Sequence, residues 1–265
     1  MPLRLNPTLR DRIAEADRPL FGGWVTSGSP VMAEIMAGSG LDWVLIDMEH
    51  APNGLESVLA QLHAVSAYPV APVVRVPSAD PVIIKQVLDL GAQSILVPMV
   101  QDAAEARAVA EAVQYPPAGR RGVGSALARS ARWNRVEGYL AEADRHVAAF
   151  VQVETAEAVD AAHEIAATRG IDGVFVGPAD LAASMGLIGQ QTHPDVVAAV
   201  RRAFDGIARA GAPAGVNAFD PDAARAYADA GARFVLVGAD VALVARGSEQ
   251  LARTFIPSAD ADPRS

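Results

Sequence analysis

Trp43-Val44-Leu45-Ile46-Asp47-Met48-Glu49-His50 is the stretch whose reading decides the fold. Four large apolar side chains give way at once to Asp, Glu and His. The apolar part reads as a strand buried on both faces. Ionisable groups at the end of a buried strand are costly unless they are paired or used. In a (β/α)8 barrel the C-terminal ends of the strands line one mouth, and the chemistry sits there. The plainer reading makes Asp47 a helix cap and His50 an ordinary loop residue. The later strands separate the two readings, because the same event recurs on them.

Working outward, short apolar strands fall at 21–25, 43–47, 72–76, 94–98, 149–154, 173–176, 214–217 and 234–238. Helical patterns alternate with them, at 30–37, 55–67, 81–91, 102–113, up to 168, 194–210, 221–231 and 240–254, after a leading helix at 10–16. Asp80-Pro81 and Asp220-Pro221 are helix starts, a capping residue followed by proline in the first turn. Residues 115–147 interrupt the rhythm with loop chemistry and a short polar helix at 134–143. The alternation predicts a closed parallel (β/α)8 TIM barrel, one domain over residues 1–256, with a disordered tail at 257–265. A doubly wound open sheet is the competitor, but no G-x-G-x-x-G follows the first strand.

Composition narrows the function. The net charge of −9 and the lack of a long basic run argue against nucleic acid. There are no cysteines, hence no thiol nucleophile and no thiolate metal site. No signal-peptide core or membrane-length apolar run is visible, so a soluble, cytoplasmic protein is expected. Lys85 is the only lysine, and it falls on a helix outside the barrel. A Schiff-base mechanism would have to use it, so none is expected.

Strand ends supply Asp47, Glu49 and His50, then Arg75, Gln152 with Glu154, Asp180 and Asn217. Gln152 and Glu154 share one strand face, where a packed interior would not accept them without partners. An ion pair with Arg75 is the structural alternative. Glu154 and Asp180 suit a hard divalent cation such as Mg²⁺, Mn²⁺ or Co²⁺. The other histidines, His63, His146, His163 and His193, fall away from strand ends and read as surface or locally satisfied residues. Gly177-Pro178-Ala179-Asp180 is a tight turn of small residues that lets a carboxylate approach backbone N–H groups. The plain alternative is a strand-to-helix turn capped by Asp180. One His, one Arg, two carboxylates and an anion-binding turn suit enolate chemistry on a 2-oxo acid, with His50 carrying protons near neutral pH.

The sequence also resembles the HpcH/HpaI family of class II, metal-dependent 2-oxo acid aldolases. The stretches that carry the resemblance are Asp47-Met48-Glu49-His50, Val74-Arg75-Val76-Pro77, Ile84 to Ala92, Leu96-Val97-Pro98-Met99-Val100, Arg121-Gly122-Val123-Gly124, Gln152-Val153-Glu154-Thr155 and Val176 to Leu181. It implies that His50 is the catalytic base and that Arg75 stabilises the enolate. It further implies that Glu154 and Asp180 hold the metal, and that Gln152, Ala179 and Asp180, with Gly177 and Pro178 of the same turn, contact the 2-oxo acid. Asp89 would raise the basicity of the histidine. By its place in the helix at 81–91, however, Asp89 belongs at the opposite end of the barrel, and it reaches His50 only if the topology differs locally or a neighbouring subunit supplies it. Asp47 is the local alternative. The resemblance also implies a hexamer, a trimer of dimers that exchange the last helix.

The expected reaction is reversible aldol cleavage of a 4-hydroxy-2-oxo acid to pyruvate, or hydroxypyruvate, and an aldehyde, with no nucleotide, nucleic acid or membrane partner. Loops 120–135 and 184–191 are expected to shape the aldehyde side of the pocket. Two rivals stay open. One is a CoA-thioester lyase of the citrate lyase β-subunit type, with Arg120, Arg121, Arg129, Arg132 and Arg135 facing the nucleotide. The other is a protein that binds oxo acids without turnover.

Overall fold

The computed structural model describes residues 3–256. The acidic tail expected to be disordered lies outside them. The strands are β1 (Leu20–Val25), β2 (Trp43–Asp47), β3 (Ala71–Arg75), β4 (Ser94–Val97), β5 (Ala148–Val153), β6 (Gly173–Val176), β7 (Ala214–Asn217) and β8 (Ala232–Ala239). All are parallel and pair in chain order, and β8 returns to β1 to close the barrel. The helices are α1 (Leu9–Glu15), α2 (Pro30–Ala37), α3 (Leu55–Val65), α4 (Pro81–Asp89), α5 (Ala103–Val113), α6 (Tyr139–His146), α7 (Ala156–Asp160), α8 (Ala162–Ala166), α9 (Pro178–Ser184), α10 (Pro194–Arg209), α11 (Pro221–Asp229) and α12 (Asp240–Phe255). The chain is a (β/α)8 TIM barrel.

Period-two alternation along each strand sorts the core into two bodies. Val44, Ile46, Val74, Ile95, Val97, Val151, Val174 and Val216 point outward against the helices. Trp43, Leu45, Val73, Leu96, Phe150, Phe175, Phe234 and Leu236 point inward and fill the barrel. The ring of Phe234 sits within 6.0 Å of three other rings, those of Trp43, Phe150 and Phe175. These bulky groups fit because glycines face them: a Cβ on Gly22 would lie 2.5 Å from the Trp43 ring. Helix α1 plugs the N-terminal end with Leu9 and Ile13, and Leu9 N–H donates to Ser94 Oγ at 2.9 Å.

Towards the C-terminal end the inward layer turns polar. Asp47, Arg75, Gln152 and Asn217 each stand two residues beyond an inward apolar residue or glycine of their own strand. This layer is the floor of the mouth.

Three expectations need correcting. The helix expected at 134–143 forms instead at Tyr139–His146, preceded by a 3₁₀ turn at Arg129–Ala131. Arg132, Trp133 and Asn134 have φ of 51°, 58° and 60°, left-handed backbone that a helix cannot carry. The helix expected to continue to 168 is two short ones, because Ala161 leaves helical geometry. Residues 120–135 follow α5 and lead into β5, so they lie at the N-terminal end of the barrel, opposite the mouth. Within one chain they cannot shape the pocket.

Candidate active site

The loop after β2 begins at Asp47, whose carboxylate organises it. Asp47 accepts the backbone N–H groups of Glu49 at 3.0 Å and His50 at 3.3 Å. The same carboxylate holds Arg75 on the neighbouring strand, through Nε and Nη2, both at 2.8 Å. Residues 47 and 75 are direct neighbours in the β2–β3 register, which allows this two-pronged contact. Arg75 Nη1 lies 2.8 Å from Glu49 Oε2. The guanidinium also packs 4.4 Å from the centre of the Trp24 ring. Arg75 is thus fixed in its plane by two carboxylates and covered on one face by an indole. It does not pair with Gln152 or Glu154, so the structural alternative for those two residues falls away.

Glu154 follows β5 directly and is only 2% exposed. Its Oε1 accepts Met99 N–H at 2.9 Å, and its Oε2 accepts an N–H of the Gln152 amide. Burial pushes its carboxyl up to about 7, and the charges of Asp180 and Glu49 push the same way, against the two hydrogen bonds. Burial also raises Glu49, while Arg75 and His50 oppose that rise. Asp180 is exposed on α9 beside this pair. The charges of Glu154, Glu49 and Asp180 therefore repel one another across the mouth, and Arg75 compensates only Glu49 and Asp47.

That charge imbalance tests whether a divalent cation fits. A buried carboxylate with no cation of its own beside it, next to an exposed Asp180, is the donor set a hard oxygen-seeking ion takes. Gln152 Oε1 is buried and accepts no hydrogen bond. Among the described residues no three His, Asp or Glu side chains converge on one point. A cation would therefore rest on Glu154 and Asp180, with waters and substrate oxygens completing its shell. The residues fit.

Sequence reasoning missed two contributors. Met99 has φ of 57°, and this left-handed turn aims its N–H at Glu154. Its role is carried by backbone, so its side chain gives no signal. Trp24 lies near the end of β1 inside an apolar run and reads as plain core. Gly177 has a sharper reason than a permissive turn: a Cβ there would lie 2.6 Å from Glu154 Oε2 and 2.8 Å from Gln152 Nε2. Gly177→Ala should push both side chains off their positions. We expect at least a tenfold loss of kcat/KM with little change in helix content by circular dichroism; unchanged kinetics would show that the pocket can yield.

His50 is largely exposed, and its Nε2 stands 3.8 Å from Glu49 Oε2, too far for a hydrogen bond. Neither proposed partner touches its ring within the chain. Asp47 is spent on Arg75 and backbone. Asp89 ends α4, which runs back to the opposite end of the barrel, and there it accepts Arg121 Nη2 at 3.0 Å. Three of the remaining histidines are engaged locally, since His193 caps α10, His146 stacks on Tyr139 and His163 Nδ1 lies 3.3 Å from Gly206 O, while His63 is exposed on α3. Lys85 lies on α4, outside the barrel, against Gly122.

A model of the HpcH/HpaI aldolase/citrate lyase family matches residues 20–247. The chain belongs to that family. It is 49% identical over 255 residues, 96% of either chain, to a 4-hydroxy-2-oxo-heptane-1,7-dioate aldolase of Klebsiella pneumoniae. A crystal structure of a family protein from Burkholderia cenocepacia superposes with a TM-score of 0.89 at 41% identity, covering 94% of this chain and 99% of that one. The citrate lyase β subunit of M. tuberculosis, solved with oxaloacetate and magnesium, shares the fold at 17% identity, with a TM-score of 0.56 over 83% of this chain and 92% of that one. This member of the HpcH/HpaI family is an aldolase, a carbon–carbon lyase. Among its described residues no helix is long and apolar enough to cross a membrane.

Proposed function

We propose that the enzyme catalyses reversible aldol cleavage of a 4-hydroxy-2-oxo acid to pyruvate, or hydroxypyruvate, and an aldehyde, dependent on a divalent cation. The observation that carries this reading is that Glu154, Asp180, Arg75 and His50, from four different strand ends, stand at one mouth, Arg75 and Glu154 buried in its floor and Asp180 and His50 exposed above it. Bound to Glu154 and Asp180, Mg²⁺, Mn²⁺ or Co²⁺ would supply Lewis-acid polarisation of the 2-oxo acid. Gln152 orients Glu154 through its amide, and Gly177 leaves room for both. The Gly177-Pro178-Ala179 turn faces the carboxylate of the substrate.

Arg75 has five N–H donors, and three are committed to Asp47 and Glu49. The other two stay available to an oxygen that gains negative charge as the carbon–carbon bond breaks. Because the guanidinium is already clamped, little reorganisation is needed when that charge appears. His50, exposed at the rim, takes the proton of the C4 hydroxyl as the C3–C4 bond breaks, and that proton goes to C3 of the enolate to give pyruvate; in the reverse direction it is taken from C3 and ends on the new hydroxyl. We infer that Asp89 of a neighbouring subunit approaches this imidazole; the chain's own Asp89 ends α4 at the opposite end of the barrel.

Assembly fits the same reading. In α12 only Asp240 is buried, while Val241, Leu243, Val244, Leu251 and Phe255 are exposed. An apolar helix face of this size asks for a cover, and exchange of α12 within a hexameric trimer of dimers would provide one. The rival CoA-thioester reading loses its motive. Within one chain Arg121 is buried against Asp89, Arg129 donates to Leu90 O, and the arginine-rich segment lies at the end of the barrel away from that chain's own mouth.

Pyruvate release from 4-hydroxy-2-oxoheptanedioate by metal-stripped protein, before and after adding Mg²⁺ or Mn²⁺, tests the proposal. Release should appear only with metal, and full activity in excess chelator would rule the cation out.

A further inference from the structure

Asn217 ends β7 and points into the barrel, where its Oδ1 accepts the indole N–H of Trp24 at 2.8 Å. An indole nitrogen can only donate, so this bond settles which way the amide faces. Oδ1 is turned to Trp24, and Nδ2 is turned elsewhere. Among the described residues Nδ2 donates to no acceptor. The side chain is half-buried rather than enclosed, so this donor looks into the mouth. Trp24 in turn lies against Arg75. Asn217, Trp24 and Arg75 thus form a continuous row across the floor, facing the Glu154 and Asp180 side of the mouth.

A 2-oxo acid held at Glu154 and Asp180 with its keto oxygen towards Arg75 lays its reacting carbons over this row. A methyl or methylene group above Nδ2 would strip water from a donor and give nothing back. A hydroxyl there would accept its hydrogen bond. We propose that Asn217 is a specificity-determining residue, donating from Nδ2 to a hydroxyl oxygen carried on, or one atom beyond, a carbon of the bond that is made or broken. The assignment rests on the aldolase reading above and deepens it. The hydroxyl has two available sources: C3 of a hydroxypyruvate-type donor, or the carbon beside the carbonyl of a hydroxyaldehyde.

The test is carbon–carbon bond formation with pyruvate or hydroxypyruvate, each paired with propanal or glycolaldehyde, in the presence of Mg²⁺. Wild type, Asn217→Leu and Asn217→Asp are compared by the ratio of kcat/KM values. Asn217→Asp keeps an acceptor for Trp24 and replaces the Nδ2 donor by a charged acceptor; because that charge acts on both members of a series alike, the ratio within a series still reads the lost donor, so this variant serves even if Asn217→Leu disturbs folding. Wild type should prefer the hydroxylated member of one series by about tenfold, the worth of one neutral hydrogen bond. Both variants should bring that ratio close to one. The series in which the preference lies identifies the source of the hydroxyl. A preference that survives in both variants overturns the assignment, as does an equal loss on all four pairs, which would leave Asn217 only a support for Trp24. No turnover of any pair by wild type would instead sink the aldolase reading, and this assignment with it.

Discussion

Glu154→Gln will abolish metal-dependent cleavage while leaving the protein folded. The substitution preserves shape and removes the charge that would hold the cation. Loss of several kcal/mol of charge stabilisation corresponds to a fall in kcat/KM of about 10³-fold or more. The metal-free stability should move the other way. In the native state this carboxyl titrates at about 7, against 4.5 for an unperturbed glutamate. Between those values the native protein holds a proton that the unfolded chain has released. Stability of the metal-free wild type therefore falls as pH rises through this window, by about 3 kcal/mol in all. Denaturant melts at pH 5 and pH 8 should show that slope in wild type and lose most of it in Glu154→Gln. The cation competes with the same proton, so calorimetric titration should find weaker Mg²⁺ or Mn²⁺ binding at pH 6 than at pH 8. Binding that ignores pH, or cleavage that survives in Glu154→Gln, would move the metal elsewhere.

Arg75→Leu should be costly to both fold and activity. It leaves Asp47, 1% exposed, and half-buried Glu49 without their cation. Breaking a buried ion pair on one side costs about 3–5 kcal/mol, which lowers Tm by on the order of 10 °C in a chain of this size. Activity should fall by about 10²-fold or more, since the donors aimed at the developing oxyanion are gone. Arg75→Lys restores a charge but not the two-pronged grip on Asp47 or the flat stack on Trp24. It should recover part of the stability and little of the rate. Asp47→Asn in the Arg75→Leu background should return stability without returning activity, because it removes the stranded charge. Strictly additive losses in that double variant would mean that the two residues do not act as a pair.

Much of the site was legible because barrel strands announce it. Asp47, Arg75, Gln152 and Glu154 interrupt apolar runs at spacings that place them inward at one end. The metal-facing role of Glu154 could be proposed from residue type alone, and its isolation from Arg75 then removed the main structural alternative. Met99 could not be read, because its contribution is an N–H direction set by a left-handed φ. Trp24 looked like core, and it is core on one edge while its face covers Arg75. Which end of the barrel segment 120–135 occupies could not be read, because charge density in a loop carries no such information; it lies with Asp89, opposite its own chain's mouth.

Sequence by itself determined the barrel, since alternating short apolar strands and capped helices have few other ways to bury both faces of a parallel sheet. It also determined which chemical groups stand at strand ends, because side-chain alternation is a property of the extended backbone. Only the tertiary structure decided the pairings. Arg75 chose Asp47 and Glu49 rather than Glu154 because the β2–β3 register places residues 47 and 75 side by side. Asn217 met Trp24 because closure of the sheet brings β7 and β1 to opposite sides of β8. Asp89 was carried away from His50 because a helix that follows a strand must run back to where the next strand begins. Distances of this kind depend on how the chain closes, and a linear pattern holds no record of closure.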